Sequence, residues 1–207
     1  DQKGAACEFS GIPNLVHPND VGYFHTGHSG VVSTVVSQGP LKSTIQSASG
    51  DGTWETRWEI YPDYARLTVL KADSVYWVLY EGTPAGQLRP DNDFSIRSNG
   101  EKSSLKTPWS ADIKAPEWIY FSSQDENRSL YFVHHEDDTL TDSYFELDQL
   151  MTVFGFGRKR GEAVMVDTPA HFTLGFAEDV AHGGVEAVIN NAYQPLAVSL
   201  DAVEQLN

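Results

Sequence analysis

The sequence predicts an all-β protein, an antiparallel β-sandwich of the jelly-roll type with one C-terminal helix. Short runs in which apolar and polar residues alternate recur between turn signals, as in sandwiches and barrels. Aromatic residues make up 12% of the 207 residues, and glycine and proline are spread along the chain. A chain of this length can bury a sizeable core without a disulfide, so we expect a single domain over residues 1–207.

The first half of the chain contains five predicted strands, at residues 31–36, 41–47, 53–61, 65–71 and 76–80. The turn Ser49-Gly50-Asp51-Gly52 separates the second from the third and predicts a hairpin. In the third strand, Trp54, Thr56, Trp58 and Ile60 alternate with polar residues, which is typical of a strand with one buried face. In the fourth strand Leu67 and Val69 oppose Arg66 and Thr68. The fifth strand is apolar on both faces and is predicted to be central.

The second half of the chain contains fewer clear elements. Residues 81–116 are rich in turn-forming residues and predict a long excursion with one short strand at 94–97. Further strands are expected at 118–122, 129–135, 151–158 and 171–176, and residues 139–150 are expected to form a loop with a helical turn. A partial apolar stripe predicts a helix near residues 178–193, although Gly183 and Gly184 weaken it.

The formal charge of −15 excludes several classes of partner. Nucleic acid and anionic membrane surfaces both require basic protein surface, so neither is expected as a partner. No apolar run is long enough to span a membrane. The first residues lack a signal-peptide pattern, so the protein is either cytoplasmic or has already lost its signal; we expect a secreted or periplasmic location.

The most prominent candidate site is the run His134-His135-Glu136-Asp137-Asp138 at the end of a predicted strand. Successive strand residues point to opposite faces, so only one of the two histidines can share a face with a given partner. A histidine beside a carboxylate can bind a metal or move protons. The alternative is one packed histidine, one exposed histidine and a solvated acidic turn.

The second candidate is Phe154-Gly155-Phe156-Gly157-Arg158-Lys159-Arg160, which holds three of only 14 basic residues. The two phenylalanines share one strand face and the two glycines share the other, where a ligand or another backbone could approach closely. This pattern predicts a groove floor ending in Arg158, which would bind a carboxylate or sulfate, with Lys159 and Arg160 beside it. The alternative is a glycine-bent strand followed by a basic surface turn.

Other residues supply weaker signals. His25 and His28 are close enough in sequence to share a divalent metal ion, with His134, or else His135 or His171, as a third ligand. The alternative is a loop with incidental histidines and no cofactor. Tyr144 is a candidate catalytic phenol, and Trp77 and Tyr80 are candidates for stacking on sugar rings. Residues of these types are also common in cores.

Four segments carry a resemblance: Gly39-Pro40-Leu41-Lys42, the tryptophan-rich strand at 54–61, Leu79-Tyr80-Glu81-Gly82-Thr83-Pro84 and Phe154-Gly155-Phe156-Gly157-Arg158. Together they resemble secreted bacterial jelly-roll or mutarotase-like sandwiches among polysaccharide lyases and glycoside hydrolases. The resemblance spans about residues 39–176 and implies a polysaccharide or oligosaccharide as partner. The arginine-rich and Gln-Ile-His strand motifs of alginate lyases are absent, so no catalytic residue is carried over.

The leading functional expectation is β-elimination on an acidic polysaccharide, with Arg158 as carboxylate clamp, His135 as base and Tyr144 as acid. Replacement of Arg158 by alanine is then expected to abolish function and leave the fold intact. The alternatives are a non-catalytic carbohydrate-binding module and a glycoside hydrolase with two carboxylates drawn from Glu81, Glu136, Asp137 and Asp138.

Overall fold

The computed structural model describes residues 11–16, 23–24, 30–84 and 86–194. Over these residues the chain is mostly β-strand with one helix, which confirms the predicted fold class. The elements are β1 (Gly11–Val16), β2 (Tyr23–Phe24), β3 (Val31–Gln38), β4 (Ser43–Ser49), β5 (Glu55–Ile60), β6 (Tyr64–Lys71), β7 (Trp77–Gly82), β8 (Phe94–Arg97), β9 (Lys102–Ser104), β10 (Trp109–Ala111), β11 (Trp118–Ser123), β12 (Arg128–His134), β13 (Asp142–Leu147), β14 (Met151–Phe156), β15 (Arg158–Lys159), β16 (Glu162–Ala163), β17 (Ala170–Ala177) and α1 (His182–Ala192).

Two large sheets form the sandwich, and the strand pairs are antiparallel. The larger sheet has nine strands in the order β3-β4-β5-β6-β17-β12-β11-β8-β9, and the smaller has six in the order β10-β13-β14-β7-β1-β2. Strands β15 and β16 form a separate hairpin. Because β6, β17 and β12 are neighbours although they are far apart in sequence, the sheet order brings together segments from both halves of the chain.

The main core lies between the two sheets. Leu67 and Val69 on β6 and Phe132 on β12 contribute from the larger sheet, and Val78 and Phe154 contribute from the smaller. Burial of such side chains stabilises the fold by roughly 1.5–3 kcal/mol each. The alternation predicted for β6 therefore places Arg66 and Thr68 on the outer face of the larger sheet.

Helix α1 covers part of that outer face. Val185, Ile189 and Ala192 pack against a second apolar cluster that includes Tyr131 and Val133 of β12. The helix lies within the predicted range but begins only at His182. Its C-terminal end stops beside strands β6 and β17, where it leaves polar residues of the sheet uncovered.

The predicted hairpin is confirmed, since β4 pairs with β5 in register from Ser43↔Ile60 to Ala48↔Glu55. Strand β7 is central in the smaller sheet, as predicted, between β14 and β1. The prediction of a loop at 139–150 is wrong, because Asp142–Leu147 forms β13 and Tyr144 lies in the core. The excursion at 81–116 likewise contains β9 and β10 in addition to the expected β8. Within the described residues, no helix has the length and apolar character to cross a membrane.

Candidate functional site

His134 and His135 project to opposite faces of the larger sheet, as strand geometry requires. His134 lies between the sheets, where its ring stacks on Phe172 at 4.7 Å between centroids. His135 lies on the outer face, and its Nε2 is 2.7 Å from the Thr173 hydroxyl. The two histidines therefore belong to two different groups of residues.

A pocket of about 310 Å³ opens on the outer face of the larger sheet, at the C-terminal end of α1. Its walls come from β5, β6, β17, the residue after β12 and the helix end, and include Glu59, Arg66, Thr68, His135, His171 and Tyr193. We call it the helix-end pocket. Pockets that bind small ligands begin at about this volume, which suits one sugar unit of a longer chain.

Arg66 supplies the helix-end pocket with a positive charge. Its Nη2 donates to the carbonyl oxygen of Ala192 at 3.1 Å, and its guanidinium lies over the ring of Tyr64. Its buried Nε has no hydrogen-bond partner. Glu59 faces Arg66 across the strand pair but bonds Lys42 at 2.5 Å instead. Within the described ranges Arg66 forms no ion pair, so its charge is available to a ligand.

His135 is held as a neutral imidazole in the helix-end pocket. Burial, together with the nearby charge of Arg66, lowers its pKa to about 4. Its ring meets that of Tyr193 edge to face, with 5.3 Å between centroids. The hydroxyl of Tyr193 donates to the carbonyl oxygen of Glu117 at 3.3 Å.

His171 is oriented by Glu136. The Glu136 carboxylate lies 2.6 Å from His171 Nδ1 and accepts the His171 backbone N–H at 2.8 Å. Burial acts to raise the pKa of Glu136, but the hydrogen bonds from His171 outweigh it and the pKa is lowered. A carboxylate on Nδ1 fixes the ring and leaves Nε2 as the nitrogen that can take up a proton.

A second group, the buried His–carboxylate cluster, consists of Glu117, His134 and Asp138. Glu117 Oε2 lies 2.5 Å from His134 Nδ1, and Asp138 Oδ2 lies 3.9 Å from the same nitrogen. One donor atom from each residue lies within 4.8 Å of the others, so the group could hold a metal ion. Burial raises the pKa of Glu117, although the hydrogen bond from His134 opposes that shift.

Tyr144 and Tyr80, predicted as site residues, lie in the core between the sheets. Tyr144 is 1% exposed and its hydroxyl donates to the carbonyl oxygen of Leu105 at 2.6 Å. Tyr80 packs on Phe132 at 4.7 Å between ring centroids. Neither ring is accessible to a sugar, because burial removes the ring face that stacking requires.

Arg158 lies on the outer face of the smaller sheet, on the side of the sandwich away from the helix-end pocket. Its guanidinium is 5.2 Å from the ring of Trp77 and 4.8 Å from that of Phe145, and its Nη1 donates to Ser143 at 2.9 Å. Trp77 is itself buried beneath it. The basic residues that follow, Lys159 and Arg160, are exposed in the β15–β16 hairpin.

The three residues expected to act together in elimination therefore do not meet. His135 faces the helix-end pocket, Tyr144 faces the core and Arg158 faces the other side of the smaller sheet. Among the carboxylates considered for paired catalysis, Glu136 bonds His171 and Asp138 belongs to the buried cluster. Of the three histidines expected at a metal, His134 lies in the buried cluster, while His25 and His28 lie outside the described residues.

Sequence reasoning missed Arg66 and Tyr193, and it considered His171 only as a metal ligand. The alternation of β6 indicates that the side chain of Arg66 points outward, and His171 is the first residue of a predicted strand. Their proximity depends on β17 lying between β6 and β12, an order that is set by long-range pairing.

Comparison with known proteins finds no match for this chain among family models, curated proteins or solved structures.

Proposed function

We propose that the chain acts on an acidic polysaccharide in the helix-end pocket, by β-elimination next to a uronate carboxylate. The observation that carries this proposal is the guanidinium of Arg66, which has no ion-pair partner among the described residues and lines the same pocket as two imidazoles. Because a polysaccharide substrate is met outside the cell interior, the proposal includes a secreted or periplasmic location.

Charge favours an anionic ligand at this place. The chain as a whole carries −15, yet the carboxylates near the helix-end pocket are engaged by other residues, Glu59 by Lys42 and Glu136 by His171. Arg66 is therefore a local positive centre on an acidic protein. An arginine fork matches the geometry of a carboxylate, so an anionic sugar suits this pocket.

His171 is a better base for the reaction than His135. Glu136 holds the ring of His171 through Nδ1 and so leaves Nε2 for the substrate, whereas burial and Arg66 lower the pKa of His135. In the proposed step, His171 removes the proton α to the carboxylate while Arg66 binds the carboxylate and stabilises the charge that develops there. The electron pair forms the C4=C5 double bond, the C4–O bond breaks, and the departing oxygen takes a proton from the imidazolium.

A binding module is the second candidate, because an aromatic pair adjoins the helix-end pocket. Tyr61 and Tyr64 stack at 4.6 Å between centroids with an interplanar angle of 21°, and both are partly exposed. Tyr64 also lies under the guanidinium of Arg66. Aromatic rings beside a cation can hold a charged sugar without cleaving it.

Incubation with alginate, pectin, ulvan and glucuronan separates the two functions. Elimination gives a double bond conjugated with the carboxylate, which is followed by its ultraviolet absorbance. We expect one of these substrates to give that product. Retardation in a polysaccharide-containing gel without any new absorbance supports the module, and neither signal with all four polymers contradicts the proposal.

A matched pair of variants tests the role of Arg66. Arg66→Lys retains the charge but loses the fork, and we expect product formation or binding to fall about 10- to 100-fold. Arg128→Lys makes the same change at an exposed arginine that pairs with Glu178, and we expect it to behave as the wild type. Equal effects of the two substitutions contradict the assignment.

A further inference from the structure

We propose that the buried His–carboxylate cluster of Glu117, His134 and Asp138 binds one divalent transition-metal ion. None of the three donor residues lines the helix-end pocket, although Glu136, which holds His171, also lies 3.5 Å from His134 Nε2. A negative result here therefore leaves the proposed function untouched.

The donor atoms are already gathered by the fold. Glu117 immediately precedes β11, His134 ends β12 and Asp138 lies in the turn that follows, so the pairing of β11 with β12 brings them together. Each offers one donor atom, and these atoms lie within 4.8 Å of one another. Zinc binds nitrogen and carboxylate oxygen at about 2.0–2.2 Å, so small side-chain shifts suffice to place an ion between the three.

Among the described residues, the carboxylates of the cluster form no ion pair with lysine or arginine. Glu117 and His134 are 2% and 3% exposed, and Asp142 beside them is 3% exposed. The side chain of Asp138 is 26% exposed and so only partly buried. Within residues 30–84 and 86–194, no lysine or arginine forms an ion pair with any of these three carboxylates. Buried carboxylates need a cation or a proton, and a divalent ion supplies that charge.

The donor set indicates the class of metal. One imidazole with two carboxylates suits zinc and neighbouring first-row ions better than calcium, which prefers six to eight oxygen donors. His134 Nδ1 and Glu117 Oε2 share a hydrogen bond at 2.5 Å, and an ion between them replaces that proton. A neutral imidazole can carry that proton on Nε2 instead, which leaves Nδ1 free to bind the ion.

The experiment is calorimetric titration of ZnCl₂ into the full chain after dialysis against a chelator. We expect one equivalent to bind. A parallel titration with CaCl₂ should bind much more weakly. Carboxylates neutralised by protons instead of a metal would give no saturable binding of zinc, and that result overturns the proposal.

A matched pair of variants tests whether Asp138 is a ligand: Asp138→Asn removes the proposed donor, and Asp137→Asn is the control. Asp138 Oδ1 accepts the backbone N–H of Leu140 at 2.7 Å, an acceptor that asparagine keeps, so the variant should fold while losing one charged ligand. We expect zinc affinity to fall by at least about tenfold in Asp138→Asn. Asp137 is exposed and does not belong to the cluster, so Asp137→Asn should bind as the wild type does. Equal affinities in the two variants place any bound zinc elsewhere.

Discussion

The indole of Trp77 fills the space that a side chain on Gly155 would occupy. A Cβ built on Gly155 overlaps with ring carbons of Trp77, and one built on Gly157 overlaps with the side chain of Met165. Both glycines were candidates for leaving room for a ligand. The side chains of the protein itself fill that room. Gly155 lets the indole of Trp77 lie against the backbone of β14, and Gly157 lets Met165 approach the chain closely.

We therefore expect Gly155→Ala to destabilise the fold by about 1–3 kcal/mol, because the buried indole must shift to admit the methyl group. Urea unfolding followed by tryptophan fluorescence measures the change. Gly183→Ala is the control, since nothing lies within 4 Å of its Cβ and the residue is in α1. That control should be neutral or stabilise by up to about 1 kcal/mol, and a similar loss in both variants would count against the packing explanation.

Asp142 connects two loops through its carboxylate. Oδ1 accepts the backbone N–H of Gly157 at 2.9 Å, and Oδ2 accepts that of Ile113 at 3.0 Å. Asp142→Asn replaces one acceptor by an NH₂ group that faces an N–H, so we expect a loss of about 1–3 kcal/mol in the free energy of unfolding. Asp73→Asn at an exposed position should change it by less than about 0.5 kcal/mol. A neutral result for Asp142→Asn would show that the carboxyl is already bound through one oxygen only.

Local patterns predicted the fold class and most of the strands. The alternation of β5 and β6 correctly placed Trp54 and Leu67 in the core, because a period of two reports directly which face is buried. Strand β13 was missed because its sequence, DSYFEL, mixes polar and aromatic residues. Its pairing with β14 and the burial of Tyr144 decide its conformation, and neither is visible locally.

The sites were predicted less well, for a related reason. Local sequence identified His134 and His135 as unusual and placed them on opposite faces. Their partners come from distant segments, with Glu117 17 residues away and Thr173 38 residues away. Only the order of strands in the larger sheet decides which polar residues share a face, so the neighbours of Arg66 could not be predicted from alternation.

Asp51 offers a test of the hairpin between β4 and β5. Its Oδ1 accepts hydrogen bonds from the hydroxyls of Ser49 at 2.6 Å and Thr53 at 2.7 Å, and these lower its pKa from 3.8 to about 2. A carboxyl group whose pKa is lower in the folded than in the unfolded protein stabilises the fold at pH values above its unfolded pKa. That stabilisation is lost as the pH falls toward the folded pKa. Asp51→Asn should therefore be less stable than the wild type near pH 6, with a difference that shrinks as the pH falls through about 4 toward 2. NMR titration of the carboxyl carbon checks the value, and an unshifted midpoint for Asp51 would contradict the turn geometry.

Arg158 provides the sharpest contrast between sequence and structure. The sequence predicts that Arg158→Ala abolishes function and spares the fold. In the structure the guanidinium packs on Trp77 and Phe145 and bonds Ser143, on the side of the sandwich away from Arg66. We therefore expect the reverse: the free energy of unfolding falls by about 1–2 kcal/mol, from lost cation–π contacts and one hydrogen bond, while polysaccharide cleavage or binding is retained.

Two measurements on the same two variants decide between these outcomes. Urea unfolding gives the stability of Arg158→Ala and Arg66→Lys, and the polysaccharide assay gives their function. Stability loss at Arg158 with functional loss at Arg66 supports the helix-end pocket as the site. Functional loss in Arg158→Ala with unchanged stability would restore Arg158 as the carboxylate clamp and move the site to the smaller sheet, because a residue that only packs cannot remove activity while the fold remains intact.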